Sequence, residues 1–345
     1  MSEPVDFQLS DDQRALRAGI AELLAGRFGR DRMRAAHDGG GGVDRALWAE
    51  LGAAGFFALR LPEAAGGVGL GLPESVLLFE ELGRALLPGP LAATELAAAA
   101  VEGAAHGEAV VALAEAGQPV AHLADADALL VLTGGRPRLL TGGALRRVRD
   151  GARPVRSLDP GTPLWRPADL TAHADEGEPV SGGGARLRRE GALLTAAEQL
   201  GSAARSLEDA VQHARDREQF GAPIGSFQAV KHLCAEMLVR VGTARAAVYA
   251  AAVTGDPAEI AGAKLLADEA AVRNARDCLQ VWGGMGFTWE ADVHLRLKRA
   301  WLRAGQWLAA ADAEEELAAG LGRAEPVGAR RTHVTRPTPW LHAAE

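Results

Sequence analysis

Arg217-Glu218-Gln219-Phe220-Gly221-Ala222-Pro223-Ile224-Gly225-Ser226-Phe227-Gln228-Ala229-Val230-Lys231-His232 and Gln280-Val281-Trp282-Gly283-Gly284-Met285-Gly286-Phe287-Thr288-Trp289-Glu290 are the two stretches that decide the fold. The first reads as a helix end, a tight Gly/Pro turn and a new helix of about 25 residues capped by Ser226. An Arg beside such a turn suits a phosphate, because the guanidinium fork matches phosphate oxygens. The second places three glycines where a helix stops, which lets backbone approach a ligand or simply ends the helix. Taken alone, the residues leave both readings open.

Working outward, residues 189–323 are strongly helical in pattern. An amphipathic segment runs from Ala192 to Arg217. Asp256-Pro257-Ala258-Glu259 supplies a cap, a first-turn proline and a Glu placed to bond back to the cap, and this helix ends at Gly283-Gly284. A last helix is expected from Asp292 to Leu321. Residues 1–115 are also helical. Ser10-Asp11-Asp12-Gln13 is a capping box ahead of Leu16, Ile20, Leu23 and Leu24, and Asp44 caps a helix carrying Leu47, Trp48 and Leu51. A third helix spans Glu74 to Leu87 and stops at Pro88-Gly89-Pro90; an Ala-rich helix follows. Residues 116–188 change texture. Val120 and Leu129-Leu130-Val131-Leu132 are strand-like, with Thr133-Gly134-Gly135 and Thr141-Gly142-Gly143 as punctuation. The expectation is a mainly α chain with a small β middle domain and a proline-bearing tail over 324–345.

Composition narrows the function classes. With 345 residues, more than one packed unit is expected. The net charge of −8 argues against a general nucleic-acid binder. The 2 cysteines, Cys234 and Cys278, supply neither a disulfide framework nor a Cys-based zinc site, and fit a reducing cytoplasm. The start MSEPVDFQLSDDQ has no basic n-region and no apolar h-region, so no signal peptide is expected. No apolar run reaches the ~20 residues of a membrane span. Leu61-Pro62-Glu63 to Leu70 is glycine-rich but lacks a phosphate-loop pattern. His232 and His294 stand alone, outside any metal-ligand spacing. Arg296, Lys298, Arg299 and Arg303 give a basic helix face, read either as a docking face for CoA phosphates or acidic residues, or as a solvated surface.

The two opening stretches resemble those of the acyl-CoA dehydrogenase family, as do Leu61–Leu70, Phe79-Glu80-Glu81-Leu82-Gly83-Arg84-Ala85 and the order of textures over residues 7 to 310. The resemblance implies a helical N-domain, a β-barrel-like middle and a C-terminal four-helix bundle. It implies FAD as cofactor, an acyl-CoA substrate and an electron-transfer flavoprotein-type acceptor. In the family, the Arg and Phe of R-x-x-F, and a Gln with the fourth residue after it, reach the FAD of a neighbouring chain. Here they match Arg217, Phe220, Gln280 and Gly284.

The catalytic half departs from the pattern. The family base is the Glu of Tyr-Glu-Gly-Thr, which takes the α-proton of the thioester while hydride leaves the β-carbon for FAD. The matching position is Trp307, which cannot accept a proton, and Ala309 stands where the following Thr belongs. The chain's single tyrosine, Tyr249, is remote in sequence from that position. The Thr-Glu-Pro-x-x-Gly-Ser-Asp segment that supports the flavin ring is replaced by His122-Leu123-Ala124-Asp125-Ala126-Asp127. Some members carry the base on the helix before R-x-x-F. Glu208, beside Asp209, is the candidate there, against the plainer reading of an exposed helical carboxylate; Glu290 is read as a helix-start residue.

The resulting expectation is the base-lacking partner in a heteromeric acyl-CoA dehydrogenase. It would be a heterodimer or heterotetramer with a second, dehydrogenase-like chain, of the kind that acts on steroid side-chain acyl-CoAs. A homo-oligomeric flavoenzyme using Glu208 or monooxygenase-like chemistry, and a non-catalytic scaffold, are the alternatives.

Overall fold

The computed structural model describes residues 8–133, 136–181 and 183–321; the 324–345 tail lies outside them. Five helices come first: α1 (Asp11–Arg27), α2 (Arg30–Asp38), α3 (Arg45–Ala53), α4 (Leu72–Ala85) and α5 (Leu91–Ala97). Ser10 and Gln13 close the expected capping box at 3.1 Å in both directions, and Asp44 accepts from Ala46 and Leu47 at the start of α3.

The middle region holds β1 (Val111–Glu115), β2 (Val120–Ala121), β3 (Ala128–Leu132), β4 (Arg138–Leu140), α6 (Gly142–Asp150), β5 (Arg153–Val155), β6 (Leu164–Arg166), α7 (Leu170–Ala174) and β7 (Glu178–Pro179). The barrel-like middle anticipated from sequence is built as two small open sheets, ordered β1-β3-β4-β7 and β2-β6-β5. β1 was not expected. Positive φ at Gly103 and Gly107 breaks the Ala-rich stretch after α5. Val111–Glu115 then pairs parallel with the fully buried β3. His122-to-Asp127 is a turn, fastened where Asp127 accepts from Arg45 at 2.6 Å and from the Val110 amide at 2.8 Å.

The C-terminal region is α8 (Gly184–Asp216), the two-residue strands β8 (Glu218–Gln219) and β9 (Ala222–Pro223), α9 (Gln228–Thr254), α10 (Pro257–Trp282), α11 (Val293–Arg303) and α12 (Ala310–Leu321). Four sequence readings are corrected here. α8 begins at Gly184, ahead of Ala192. Ser226 sits in a short 3-10 turn and Phe227 holds the cap position of α9, with no side-chain cap. Asp256 caps α10, but Glu259 accepts from the Thr254 hydroxyl at 2.6 Å instead of bonding back to Asp256. The expected 292–321 helix breaks at Ala304–Ala309, where Trp307 adopts φ 64°.

Glycine sets the central helix crossing. A Cβ on Gly83 of α4 would lie 2.0 Å from the Glu198 carbonyl oxygen, and one on Gly201 of α8 would lie 1.8 Å from that of Glu80. The two backbones therefore touch, and only hydrogen fits at either position. Around this contact, α8 and α10 bury mostly alanine, with Leu193, Leu194 and Leu200 completely inside.

One polar junction ties the three regions. Arg299 of α11 is 2% exposed. Its Nε donates to buried Asp159 of the middle region. Its Nη1 donates to the Leu87 carbonyl at 3.1 Å, and its Nη2 lies 3.4 Å from His37 Nε2 of α2. His37 Nδ1 donates to the Met33 carbonyl at 2.8 Å, so Nε2 is the lone-pair atom facing the guanidinium.

Burial first, then Arg299, lowers the pKa of His37 to about 4. The folded chain thus binds fewer protons than the unfolded one between pH 6.5 and 4. The His37 contribution to stability is full above 6.5 and falls by about 1.4 kcal/mol per pH unit across that window. Denaturant titrations from pH 7 to 4 are expected to show a shallower slope for His37→Gln than for the native chain; an unchanged slope would sink the assignment.

Candidate functional site

The two deciding stretches leave the bundle at the same end. The His213 ring of α8 stacks on Trp282 of α10, with centroids 4.3 Å apart and planes 16° apart. Ile224, Val230 and Leu233 pack into the same apolar cluster as Leu279 and Trp282. The Arg217 amide donates to the His213 carbonyl at 2.9 Å, so the chain exits α8 directly into the β8–β9 hairpin. The turn residues Phe220 and Gly221 have φ of 54° and 77°, the paired positive values of a tight two-residue hairpin.

A non-glycine residue there is costly, and an aromatic ring left in water adds to the oddity. Phe220 is 94% exposed, with only an edge contact to Phe227 at 6.1 Å. Arg217 and Gln280 are exposed, and neither side chain has a partner among the described residues. Gly283 ends α10 at φ 61°, and Gly284 stands open, with nothing within 4 Å of where a Cβ would lie. Met285 and Phe287 are exposed beside it. The surface thus offers a free guanidinium, a free amide, open backbone and upright aromatics. That set suits a phosphate-bearing aromatic ligand.

Trp307 lies elsewhere, in the loop between α11 and α12. Buried Lys264 holds that loop by donating to the Arg303 and Ala304 carbonyls at 3.3 and 3.5 Å. The Trp307 amide donates to Glu115 Oε2 at 3.1 Å. Its ring is 5% exposed and rests on Gly191 of α8, where a Cβ would come within 2.2 Å of it. The missing side chain at 191 makes room for the indole. The cleft beside it measures about 240 Å³ and is lined by Leu91, Leu113, Thr195, Glu198, Arg303 and Trp307, among others. That is below the ~300–1,000 Å³ usual for ligand pockets.

Sequence reasoning missed the carboxylates of this cleft. Glu198 is buried, raised by desolvation, and accepts from Arg303 Nη2. Arg303 is lowered to about 10 by its own burial. A carboxylate held this way is a structural ion pair rather than an open base. Glu115 is occupied by the Trp307 amide and by Arg188 at 3.5 Å. The one signal for Glu198 was its place inside the apolar run Ala192–Leu200. Glu208 does not line this cleft. It is exposed and receives Arg84 Nη2 at 2.7 and 2.8 Å, and the α8 residue that faces position 307 is Gly191.

The basic helix face also needs correction. Arg296, Arg299 and Arg303 are 6%, 2% and 4% exposed, so their three-and-four spacing points them inward. His294 is buried beside Lys298, with its pKa lowered to about 4 by burial and then by that ammonium. Among the described residues no cluster of three His, Cys, Asp or Glu side chains suits a metal. No helix there is long and apolar enough to cross a membrane.

Residues 10–109 match the model of the acyl-CoA dehydrogenase N-terminal domain, and residues 188–306 that of the C-terminal domain. Acyl-CoA dehydrogenase IpdE2 of Mycobacterium tuberculosis is 38% identical over 300 residues, covering 84% of this chain and 91% of that protein. Two solved structures share the fold. The ChsE4-ChsE5 complex from Mycobacterium tuberculosis superposes with a TM-score of 0.77 at 23% identity, over 93% of this chain and 100% of the other. The Tcur3481-Tcur3483 steroid ACAD superposes with a TM-score of 0.75 at 23% identity, over 90% and 98%.

Proposed function

The chain belongs to the acyl-CoA dehydrogenase family, and from that premise we propose that it is the base-lacking subunit of a heteromeric, FAD-dependent acyl-CoA dehydrogenase. The observation that carries the reading is the contrast between its two half-sites. Arg217, Phe220, Gln280 and Gly284 stand free on one surface, whereas the position of the family base holds a buried tryptophan seated against Gly191.

The reaction of the assembly is α,β-desaturation of an acyl-CoA thioester. FAD supplies the two-electron acceptor when bound; the α-proton goes to a base. In this reading the partner chain supplies that base and the flavin-ring contacts. This chain supplies Arg217 as the phosphate fork, Phe220 as an aromatic wall, and Gln280 with the open backbone at Gly284 as polar contacts to the far end of the FAD. Reoxidation falls to an electron-transfer flavoprotein-type acceptor. Two likenesses support a paired assembly and a bulky, steroid-type acyl group: to a structure solved as a two-protein complex and to one named a steroid ACAD.

The test is expression alone and together with a dehydrogenase-like partner that carries Tyr-Glu-Gly-Thr. The lone chain is expected to show no acyl-CoA desaturation, and the copurified pair is expected to hold FAD and turn over. A lone chain that binds one FAD per protomer and desaturates an acyl-CoA would overturn the proposal.

A further inference from the structure

The loop that carries Gly283 and Gly284 is fastened at its far end to α2. Its first part is a 3-10 turn over Gly283–Phe287. Gly286 rests on α10, where a Cβ would lie 3.1 Å from the Leu279 carbonyl oxygen. Gly284 has no such neighbour, and Met285 and Phe287 are exposed. Two adjacent glycines without packing set no direction for a backbone by themselves. The residues that follow are held by side chains from two other elements.

Trp289 is 49% exposed, yet its ring and its backbone are both engaged. The indole N–H donates to Asp38 Oδ1 at 2.9 Å. The guanidinium carbon of Arg34 lies 5.3 Å from the ring centroid and Lys298 Nζ 4.9 Å from it, so cations from α2 and α11 meet one indole. Arg34 Nη2 also donates to the Trp289 carbonyl at 2.7 Å, and its Nη1 lies 3.4 Å from Asp292 Oδ1. Arg30 Nη2 donates to the same Asp292 oxygen at 3.2 Å. α2 is a firm anchor, because Met33 and His37 on its inner face are buried and His37 belongs to the Arg299 junction.

We propose that Trp289 is a positioning residue for FAD binding: clasped by Arg34, Lys298 and Asp38, it fixes the 283–292 loop so that the open backbone at Gly284 faces the FAD held by the partner chain. The inference rests on the reading that Gly284 meets that FAD. Trp289 acts through the loop and not by contact with the cofactor. An aliphatic side chain in its place keeps the backbone bond to Arg34 but loses both cation contacts and the bond to Asp38.

The test has two readouts. Hydrogen exchange of the purified full chain reads the loop without FAD or partner, and the amides of residues 284–291 are expected to exchange about tenfold faster in Trp289→Leu than in the native chain. Fluorescence titration of the FAD-stripped complex with the partner is expected to show FAD bound about fivefold less tightly in the same variant. Trp289→Phe keeps an aromatic face for Arg34 and Lys298 and is expected to recover most of both losses. Arg34→Met, which removes one of the cations and the bond to the Trp289 carbonyl, is expected to behave like Trp289→Leu. Unchanged exchange, or no recovery in Trp289→Phe, would overturn the inference. Faster exchange with native FAD affinity, while Arg217→Ala still loses FAD, would overturn the positioning role alone. Native FAD affinity in both Arg217→Ala and Trp289→Leu would overturn the proposed trans-site, and the positioning role with it.

Discussion

An Arg217→Ala subunit, assembled with its partner, is expected to hold FAD about tenfold to a hundredfold less tightly than the native complex. A hydrogen bond to a charged group contributes about 1.5–3 kcal/mol, and each 1.4 kcal/mol is a factor of ten. Arg217 suits such a contact because nothing else uses it: the guanidinium is exposed and has no partner among the described residues. The hairpin also presents it at little entropic cost, since the Arg217 amide is bonded to His213 and the Ile224 amide to the Arg217 carbonyl, at 2.9 and 2.7 Å. The measurement is fluorescence titration of the FAD-stripped complex. Desaturation at saturating FAD is expected to stay near the native rate, because the proposed contact is remote from the reacting carbons. Arg215→Ala, two residues earlier and also exposed, serves as the control for general charge. Equal losses in the two variants would reduce the effect to electrostatics, and no loss in either would remove Arg217 from the site.

Arg299→Met is expected to lower the unfolding free energy by about 3–5 kcal/mol, the usual cost of breaking a buried ion pair from one side. The loss falls on the partner left behind. Asp159 is completely buried, and it keeps only the Gly161 amide at 3.0 Å and the Thr162 hydroxyl at 2.6 Å once the guanidinium is gone. Asp159→Leu alone leaves the opposite charge stranded and is expected to cost a similar amount. The double variant Arg299→Met/Asp159→Leu is expected to cost clearly less than the sum, since no unpaired charge remains. Denaturant unfolding of the four proteins gives the cycle directly. Additive losses would mean that the pair is not coupled and that the junction is held by apolar packing.

Much of the local architecture was legible in the residues. Ser10 with Gln13, Asp44 and Asp256 are short-range caps, decided within three residues of themselves, and each caps the helix expected of it. The Val111 strand was not legible, because its stability comes from parallel pairing with Ala128–Leu132, a contact between segments apart in the chain. Arg296, Arg299 and Arg303 were read outward because charge normally prefers water. Their inward direction depends on Asp209, Asp159 and Glu198, which arrive from other elements.

The same division runs through the function. The sequence by itself determined the family motifs and the absence of a carboxylate at position 307, since residue identity and spacing are covalent facts. The tertiary structure alone decided what Trp307 does instead. A helix glycine 116 residues earlier, at position 191, leaves space for the indole, and Lys264 and Glu115 hold its loop closed. Such complementarity is a matter of atoms sharing a volume, and a linear pattern does not carry it.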